Sequence, residues 1–259
     1  MPKTIVITGA SNGLGAALAL HFAAPQINLG LIGRNTERLA EIASQCNRKG
    51  AQTYIGVIDV TNTQQMSDWL IDLDNLKPID LIIANAGITH SIDSNGQAEP
   101  LENVRKVLDI NLIGVLNTIH PLLNRMCQRQ NGQIALVSSL AAYCGMPITP
   151  AYSASKAAIK SYGEALRGLL KSQSIKVNII CPGFIKSDMS DHFPGSRPFL
   201  LTADKAAKTI AEGLAKDKPI IAFPLTLHIG MWLLGLLPFS LASFFMGLSG
   251  YNQARFPKK

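Results

Sequence analysis

Apolar, β-branched runs alternate with amphipathic stretches from the start of the chain to about residue 220. The runs predict strands at Thr4–Thr8, Ile27–Ile32, Gln52–Ile58, Leu81–Ala84, Gln133–Val137, Ile175–Ile180 and Ile220–Phe223. Several are apolar nearly throughout, the pattern of strands covered by helices on both faces. Between them the apolar positions recur at helical spacing. One such segment carries Arg38, Leu39 and Ile42 and closes at Arg48, Lys49 and Gly50. Seven strands separated by six helical segments predict an α/β chain with a doubly wound parallel sheet. No repeat, low-complexity tract or linker divides this part.

From Pro219 to Ala254 the pattern changes, with no Asp, Glu, Lys or Arg at all. Two apolar segments, Leu225–Leu237 and Phe239–Leu248, stand on either side of Pro238. They predict a helical hairpin or a kinked helix appended to the sheet. The expected organisation is one domain over residues 1–223 and an apolar extension over 224–259.

Composition narrows the function classes. A chain of 259 residues with 47% hydrophobic and 16% charged positions has ample apolar surface to fold as one α/β unit, which excludes disorder as its dominant state. The low charge content implies that some apolar surface meets something other than water. Net charge is +7, but Lys and Arg form no run of five or more and accompany no recognition motif, so a nucleic-acid surface is not expected. An anionic small molecule or an anionic membrane suits the charge. Cys46, Cys127, Cys144 and Cys181 are far apart and form no CxxC pair. Neither a metal site nor a disulfide scaffold is expected, and reduced thiols point to the cytoplasm. The chain enters its first strand directly, so no signal peptide is expected.

Thr8-Gly9-Ala10-Ser11-Asn12-Gly13-Leu14-Gly15 follows the first strand and opens a helix that runs through Phe22. Glycines let the chain turn tightly and bring backbone N–H groups close to a phosphate. The helix N-terminus then favours an anion. Taken alone such a turn is also an ordinary strand–helix corner; after the first strand of a βαβ unit it reads as a dinucleotide cradle. The second strand ends at Gly33-Arg34-Asn35, with no carboxylate there for ribose hydroxyls. Arg34 can pair with a 2′-phosphate, with Asn35 or Thr36 as further donors, so NADP(H) is favoured over NAD(H). The plainer alternative for Arg34 is a solvated charge beside the helix.

The glycine motif, Asn85-Ala86-Gly87 after the fourth strand, Asn111, Ser139, Tyr152-Ser153-Ala154-Ser155-Lys156 and Pro182-Gly183 together closely resemble the short-chain dehydrogenase/reductase family. The resemblance covers roughly residues 3–223, with the motifs in order, and implies a Rossmann-type fold. It also implies hydride transfer between a nicotinamide and a substrate carbon, while Tyr152 exchanges a proton with the substrate oxygen. Lys156 would hold the nicotinamide ribose, Ser139 the substrate oxygen, and Asn111 a proton relay behind the lysine. Independently of the family, Tyr152 and Lys156 are four apart and share one helix face. An adjacent ammonium is expected to lower the phenol's pKa. Ser138 competes with Ser139, and the spacing to Tyr152 selects Ser139. Asn111 on its own reads as structural. Asp59-Val60 resembles the family's adenine-contacting pair, although Asp59 equally suits a helix cap. Asn85 to Gly87 are expected to line the cofactor. Pro182, Gly183, Ile185 and Ser187 resemble the turn that meets the nicotinamide amide and pyrophosphate.

Phe184–Leu200 is expected to form a lid. Tyr143, Cys144 and Met146 are expected to face the same pocket, which suggests an apolar ketone or alcohol. His90 and His192 suit either the substrate or the surface. Basic residues flank the apolar tail: Lys216 and Lys218 before it, Arg255, Lys258 and Lys259 after it. Its segments are short for a bilayer crossing, and with cations at both ends a hairpin in one leaflet fits better than a span. A substrate lid or a homo-oligomer interface explains the same apolar surface. Ser240, Ser243 and Gly247 fall at helical spacing, a small-residue stripe suited to helix contact. The reading is therefore an NADP(H)-dependent oxidoreductase on an apolar, lipid-like carbonyl compound, cytoplasmic or at the cytoplasmic face of a membrane. Alternatives are an alcohol dehydrogenase working oxidatively and a non-catalytic dinucleotide sensor on the same fold.

Overall fold

Strand β1 (Thr4–Thr8) is buried at every position, and β4 (Leu81–Ala84) likewise, as expected where helices cover both sheet faces. Around them a computed structural model, describing residues 3–91, 98–191, 193 and 196–248, builds one seven-stranded sheet. The other strands are β2 (Asn28–Gly33), β3 (Gln52–Val57), β5 (Gly132–Val137), β6 (Ile175–Pro182) and β7 (Ile220–Phe223). Their order is β3-β2-β1-β4-β5-β6-β7, and every pair is parallel. The expected doubly wound sheet is thus present, and strand ends differ from the sequence reading by a residue or two.

The helices are α1 (Gly13–Phe22), α2 (Thr36–Arg48), α3 (Thr63–Leu76), α4 (Leu101–Leu108), α5 (Gly114–Arg129), α6 (Pro150–Leu170), a short α7 (Asp188–Asp191), α8 (Ala203–Ala215), α9 (Leu225–Leu236) and α10 (Phe239–Leu248). Their side chains fill two main layers. On one face of the sheet lie α1, α2 and α8, with Leu18, Leu39 and Ile210 fully buried; on the other, α3, α5 and α6 bury Leu70, Ile119 and Ile159. Each such aliphatic side chain contributes about 1.5–3 kcal/mol by leaving water. A π-helical turn, Asp109–Ile113, joins α4 to α5 and carries the buried Asn111.

The sheet reverses between β1 and β4, where the chain winds outward in both directions. Ligands of such sheets bind at the carboxyl ends of the strands beside that reversal. The glycine motif, Arg34, Asp59, Asn85, Ser139 and Pro182 all follow the ends of successive strands, so topology gathers them on one edge.

The apolar tail forms two helices, with α9 packed against β7 and the turn Leu140–Ala142. Inside α10 the buried residues are Ala242 and Met246, while Ser240 and Gly247 lie exposed. The contact stripe expected at Ser240, Ser243 and Gly247 is therefore shifted to Ala242 and Met246, of which Met246 lines the cleft. Arg255, Lys258 and Lys259 lie outside the described residues.

Candidate active site

The cradle begins with two glycines in the left-handed region, Gly9 at φ +66° and Gly13 at φ +56°. Asn12 caps α1, its Oδ1 accepting from Gly13 N at 2.6 Å. A Cβ on Gly15 would lie 2.1 Å from the Gly9 carbonyl oxygen. Gly15→Ala is accordingly expected to cost about 1–3 kcal/mol of stability through overpacking. A thermal melt checks the stability cost, and a dinucleotide titration shows the cradle distorted.

Thr8 Oγ1 accepts from the amides of Asn85 and Ala86 at 3.0 and 3.1 Å, and Asn85 Nδ2 donates to the Thr8 carbonyl at 2.9 Å. Asn85 therefore ties the strand ends together and braces the glycine turn. Arg34 lies exposed at the next strand end, 3.3 Å from Asp59 Oδ2. Asp59 also accepts from Thr61 N at 3.0 Å and from Thr61 Oγ1 at 2.8 Å. Partial burial would raise its carboxyl pKa, but these hydrogen bonds and the Arg34 charge outweigh that and hold it below the usual range. It does not cap a helix: Asn62 caps α3. Asn35 caps α2, its Oδ1 accepting from Arg38 N at 2.8 Å.

At the end of β5, Ser138 donates to the Lys156 carbonyl at 2.7 Å, which turns it into the helix–sheet seam. Ser139 Oγ accepts from Ala141 N at 3.1 Å and pulls the Tyr152 phenol downward. Pro150 starts α6 at a position where its missing N–H costs nothing. One turn apart on that helix stand Tyr152 and the buried Lys156. Lys156 Nζ donates to the Val137 carbonyl at 2.9 Å and lies 5.7 Å from the Tyr152 ring centre. Burial pushes this ammonium down to about 8. Burial also pushes the Tyr152 phenol up, against the pull of Ser139. The expected lowering of the phenol by its ammonium neighbour is thus not found. Desolvation dominates, and the ammonium is engaged with a backbone carbonyl.

Behind Lys156, Asn111 accepts from Ile88 N at 2.8 Å and donates to the Ile88 carbonyl at 2.9 Å and to Ser155 Oγ at 3.0 Å. Its oxygen would be 3.2 Å from a Cβ on Gly87, and Lys156 Nζ 3.3 Å from the same point. A larger residue at Gly87 would make both side chains give by a few tenths of an ångström.

All of these edges open into one cleft of about 910 Å³. Gly9, Ser11, Asn12, Gly13 and Leu14 line one end, with Arg34, Asp59 and Val60 beside them. Asn85, Ala86 and Gly87 lie at the middle, near Ser139, Tyr152 and Lys156. Pro182, Gly183, Ile185 and Ser187 form the opposite lip. Gly15, Asn35 and Asn111 stand behind the lining, as packing, cap and support. Met146 faces the cleft as expected, whereas Tyr143 and Cys144 do not. Tyr143 turns its hydroxyl to His228 Nε2 at 3.1 Å, and Cys144 Sγ lies 3.9 Å from Met246 Sδ. The turn at Leu140–Ala142 reverses their direction. His90 is half-buried and outside the lining; His192, Pro194 and Gly195 lie outside the described residues.

Sequence reasoning missed one contribution. Asp188 at the start of α7 accepts from Asn12 Nδ2 at 2.6 Å and pairs with Arg38 at 3.6 Å, across the mouth of the cradle. Nothing local links residues that far apart in sequence. The tail, for which a substrate lid was one of the expectations, supplies Leu227, Met231, Leu234 and Met246 to the cleft wall. Among the described residues no cluster of His, Cys, Asp and Glu could hold a metal ion.

The donor set suits a nicotinamide dinucleotide: open glycines at a helix N-terminus that can meet its phosphates, with an exposed guanidinium at the next strand end. Comparison with known proteins agrees with the geometry. Residues 3–196 match the family described as short chain dehydrogenase. An uncharacterised oxidoreductase of Myxococcus xanthus is 32% identical over 239 residues, covering 91% of this chain and 93% of that protein. The 17-beta-hydroxysteroid dehydrogenase 13 of Rattus norvegicus is 27% identical over 88% of this chain and 77% of its own. In fold, the chain matches a Sphingobium yanoikuyae short-chain dehydrogenase solved with NADPH at TM-score 0.79, 22% identity and 95% of both chains. A Mycobacterium paratuberculosis short chain dehydrogenase bound to NAD matches at TM-score 0.72, 24% identity, over 85% of this chain and 94% of that one.

Proposed function

Because the chain belongs to the short-chain dehydrogenase family and is an oxidoreductase of the Rossmann-like type, we propose that it interconverts a carbonyl and a secondary alcohol on an apolar, lipid-like substrate with NADP(H). The observation that carries this reading is the meeting of Ser139, Tyr152 and Lys156 in one cleft, beside the glycine cradle and under an apolar wall. Bound NADPH would supply the hydride. Tyr152 gives its proton to the carbonyl oxygen, and Ser139 holds that oxygen by a hydrogen bond. Lys156 steadies the charge left on Tyr152, and Asn111 holds Ile88 and Ser155 behind it, at the start of a proton path.

Cofactor recognition divides along the cleft. Gly9, Ser11, Asn12, Gly13, Leu14 and Gly15 form the pyrophosphate cradle. Arg34 takes the 2′-phosphate with Asn35 beside it, and Asp59 with Val60 frames the adenine. Asn85, Ala86 and Gly87 line the middle. Pro182, Gly183, Ile185 and Ser187 meet the nicotinamide end, next to Tyr152 and Lys156. We assign this chemistry to residues 1–223; beyond them α9 and α10 form the apolar wall, and the extension over 224–259 is read as a surface for a membrane or for a second copy of the chain, on the cytoplasmic side.

Arg34→Asp is expected to weaken NADPH at least about tenfold more than NADH, since the carboxylate repels a 2′-phosphate and accepts from a ribose hydroxyl. Dissociation constants for both cofactors decide it, and an unaltered chain that already prefers NADH overturns the assignment of Arg34. Turnover of a panel of ketones with NADPH, and of alcohols with NADP, separates the reductase from an oxidative dehydrogenase. No turnover with firm dinucleotide binding would favour the sensor.

A further inference from the structure

Helices α9 and α10 have two apolar faces. The inner one supplies Leu227, Met231, Leu234 and Met246 to the cleft. The outer one carries Leu225, Ile229, Trp232, Leu236, Phe239 and Phe244, all exposed, Phe239 to 84% and Leu236 to 64%. None of these six lines the cleft. Leu233, Leu237 and Phe245 do both, since they line the cleft while more than a third exposed. The wall of the cleft and the outer apolar surface therefore meet at a rim of three residues. Keeping so many large apolar side chains in water is unfavourable, and a contiguous surface of this kind calls for a cover.

Charge identifies the cover. The stretch from Pro219 to Ala254 carries no Asp, Glu, Lys or Arg, while Lys216 and Lys218 precede it and Arg255, Lys258 and Lys259 follow it in the sequence. An apolar middle between cationic ends complements a bilayer with anionic headgroups, where side chains enter the acyl layer and cations stay with the phosphates. At 12 and 10 residues the two helices are roughly 18 and 15 Å long. A hydrocarbon core of about 30 Å is out of their reach, and no helix among the described residues is long and apolar enough to cross a membrane. Lying in one leaflet is what these lengths allow. A second copy of the chain suits the face less well. Packed there it would seal the rim, and no Asp, Glu, Lys or Arg between Pro219 and Ala254 supplies a charged border of the kind protein interfaces carry.

We propose that the outer face of α9 and α10 inserts into an anionic phospholipid leaflet, and that the cleft is loaded from the acyl layer past Leu233, Leu237 and Phe245. The loading half rests on the reductase reading above. The substrate class that fits is a ketone or secondary alcohol on a long-chain amphiphile, which keeps its chain in the leaflet while its reactive carbon reaches Tyr152.

Flotation of the full chain with phosphatidylcholine–phosphatidylserine vesicles, against phosphatidylcholine alone, tests the insertion. Trp69 is packed against Gly30 and Gly56 in the core, so a vesicle-dependent blue shift and quenching by brominated acyl chains report Trp232. The expected result is flotation that favours the anionic vesicles, with Trp232 quenched. This measurement on the unaltered chain stands without any variant. The triple variant Leu236→Ser, Phe239→Ser, Phe244→Ser leaves the cleft lining intact and should weaken partition at least about tenfold. It should keep NADPH turnover of a short water-soluble ketone and lose kcat/KM by a like factor for a long-chain ketone delivered in the same vesicles. A chain that ignores vesicles and sediments as a discrete oligomer, which the triple variant dissociates, overturns insertion in favour of a subunit contact. Equal effects on short and long ketones overturn the loading route. If no ketone turns over while flotation and quenching persist, the reductase reading fails and the membrane surface stands.

Discussion

Tyr152→Phe is expected to lower carbonyl reduction by at least about 10³-fold, within the range general acid–base catalysis contributes. The substitution removes one hydroxyl from a half-buried ring and leaves the ring packed beside Lys156. NADPH should therefore bind with nearly its original affinity, and the loss should appear in kcat. Single-turnover kinetics at saturating NADPH, with a parallel cofactor titration, make the measurement. Near-normal turnover in this variant would take Tyr152 out of the role of proton donor. A matching collapse of cofactor binding would point instead to a structural defect.

Lys156→Met should lower turnover about 10²- to 10⁴-fold, because it removes the only charge that can steady an ionised Tyr152 from within the same helix turn. Methionine nearly fills the lysine stem's volume, so the fold should persist, although the Val137 carbonyl loses its donor. The pH profile adds a sharper check. Burial lowers the ammonium to about 8, so its charge is present below that pH and is lost above it. In the unaltered chain kcat/KM for reduction should be flat through neutrality and fall along a basic limb near pH 8. In Lys156→Met that limb should vanish. An unchanged limb would assign it to another group.

Much of the fold was legible because parallel strands buried on both faces write themselves as apolar runs. Thr4–Thr8, Leu81–Ala84 and Ile220–Phe223 have the same limits in the sequence reading and in the structure. Tyr152 and Lys156 were legible as neighbours from their spacing alone. Asn111 was not, since a buried asparagine suits both a support and a relay, and the π-helical turn that aims it adds one residue that no 3.6-residue period reveals. Tyr143 and Met146 stand three apart, yet a short turn sends them to different surroundings. In the tail almost every position is apolar, so the pattern carries no contrast between an inner and an outer face. Pairings such as Asn12 with Asp188 depend on the winding of the whole sheet.

The π-helical turn at Asp109–Ile113 also makes this stretch a counter of residues. Each α-helical residue advances the azimuth by about 100°, so the widened turn sets α4 and α5 out of phase along one continuous rod. With that offset α4 lies against α6 while α5 lies against α3. Removing any one residue from the turn, even the exposed Asp109 or Ile113, would let the rod close into a regular helix. It would swing α4 by about a quarter turn and carry Asn111 away from Ile88. Substitutions at the exposed positions leave the count intact. What these positions encode is length, and chain length there should prove far less tolerant of change than side-chain identity.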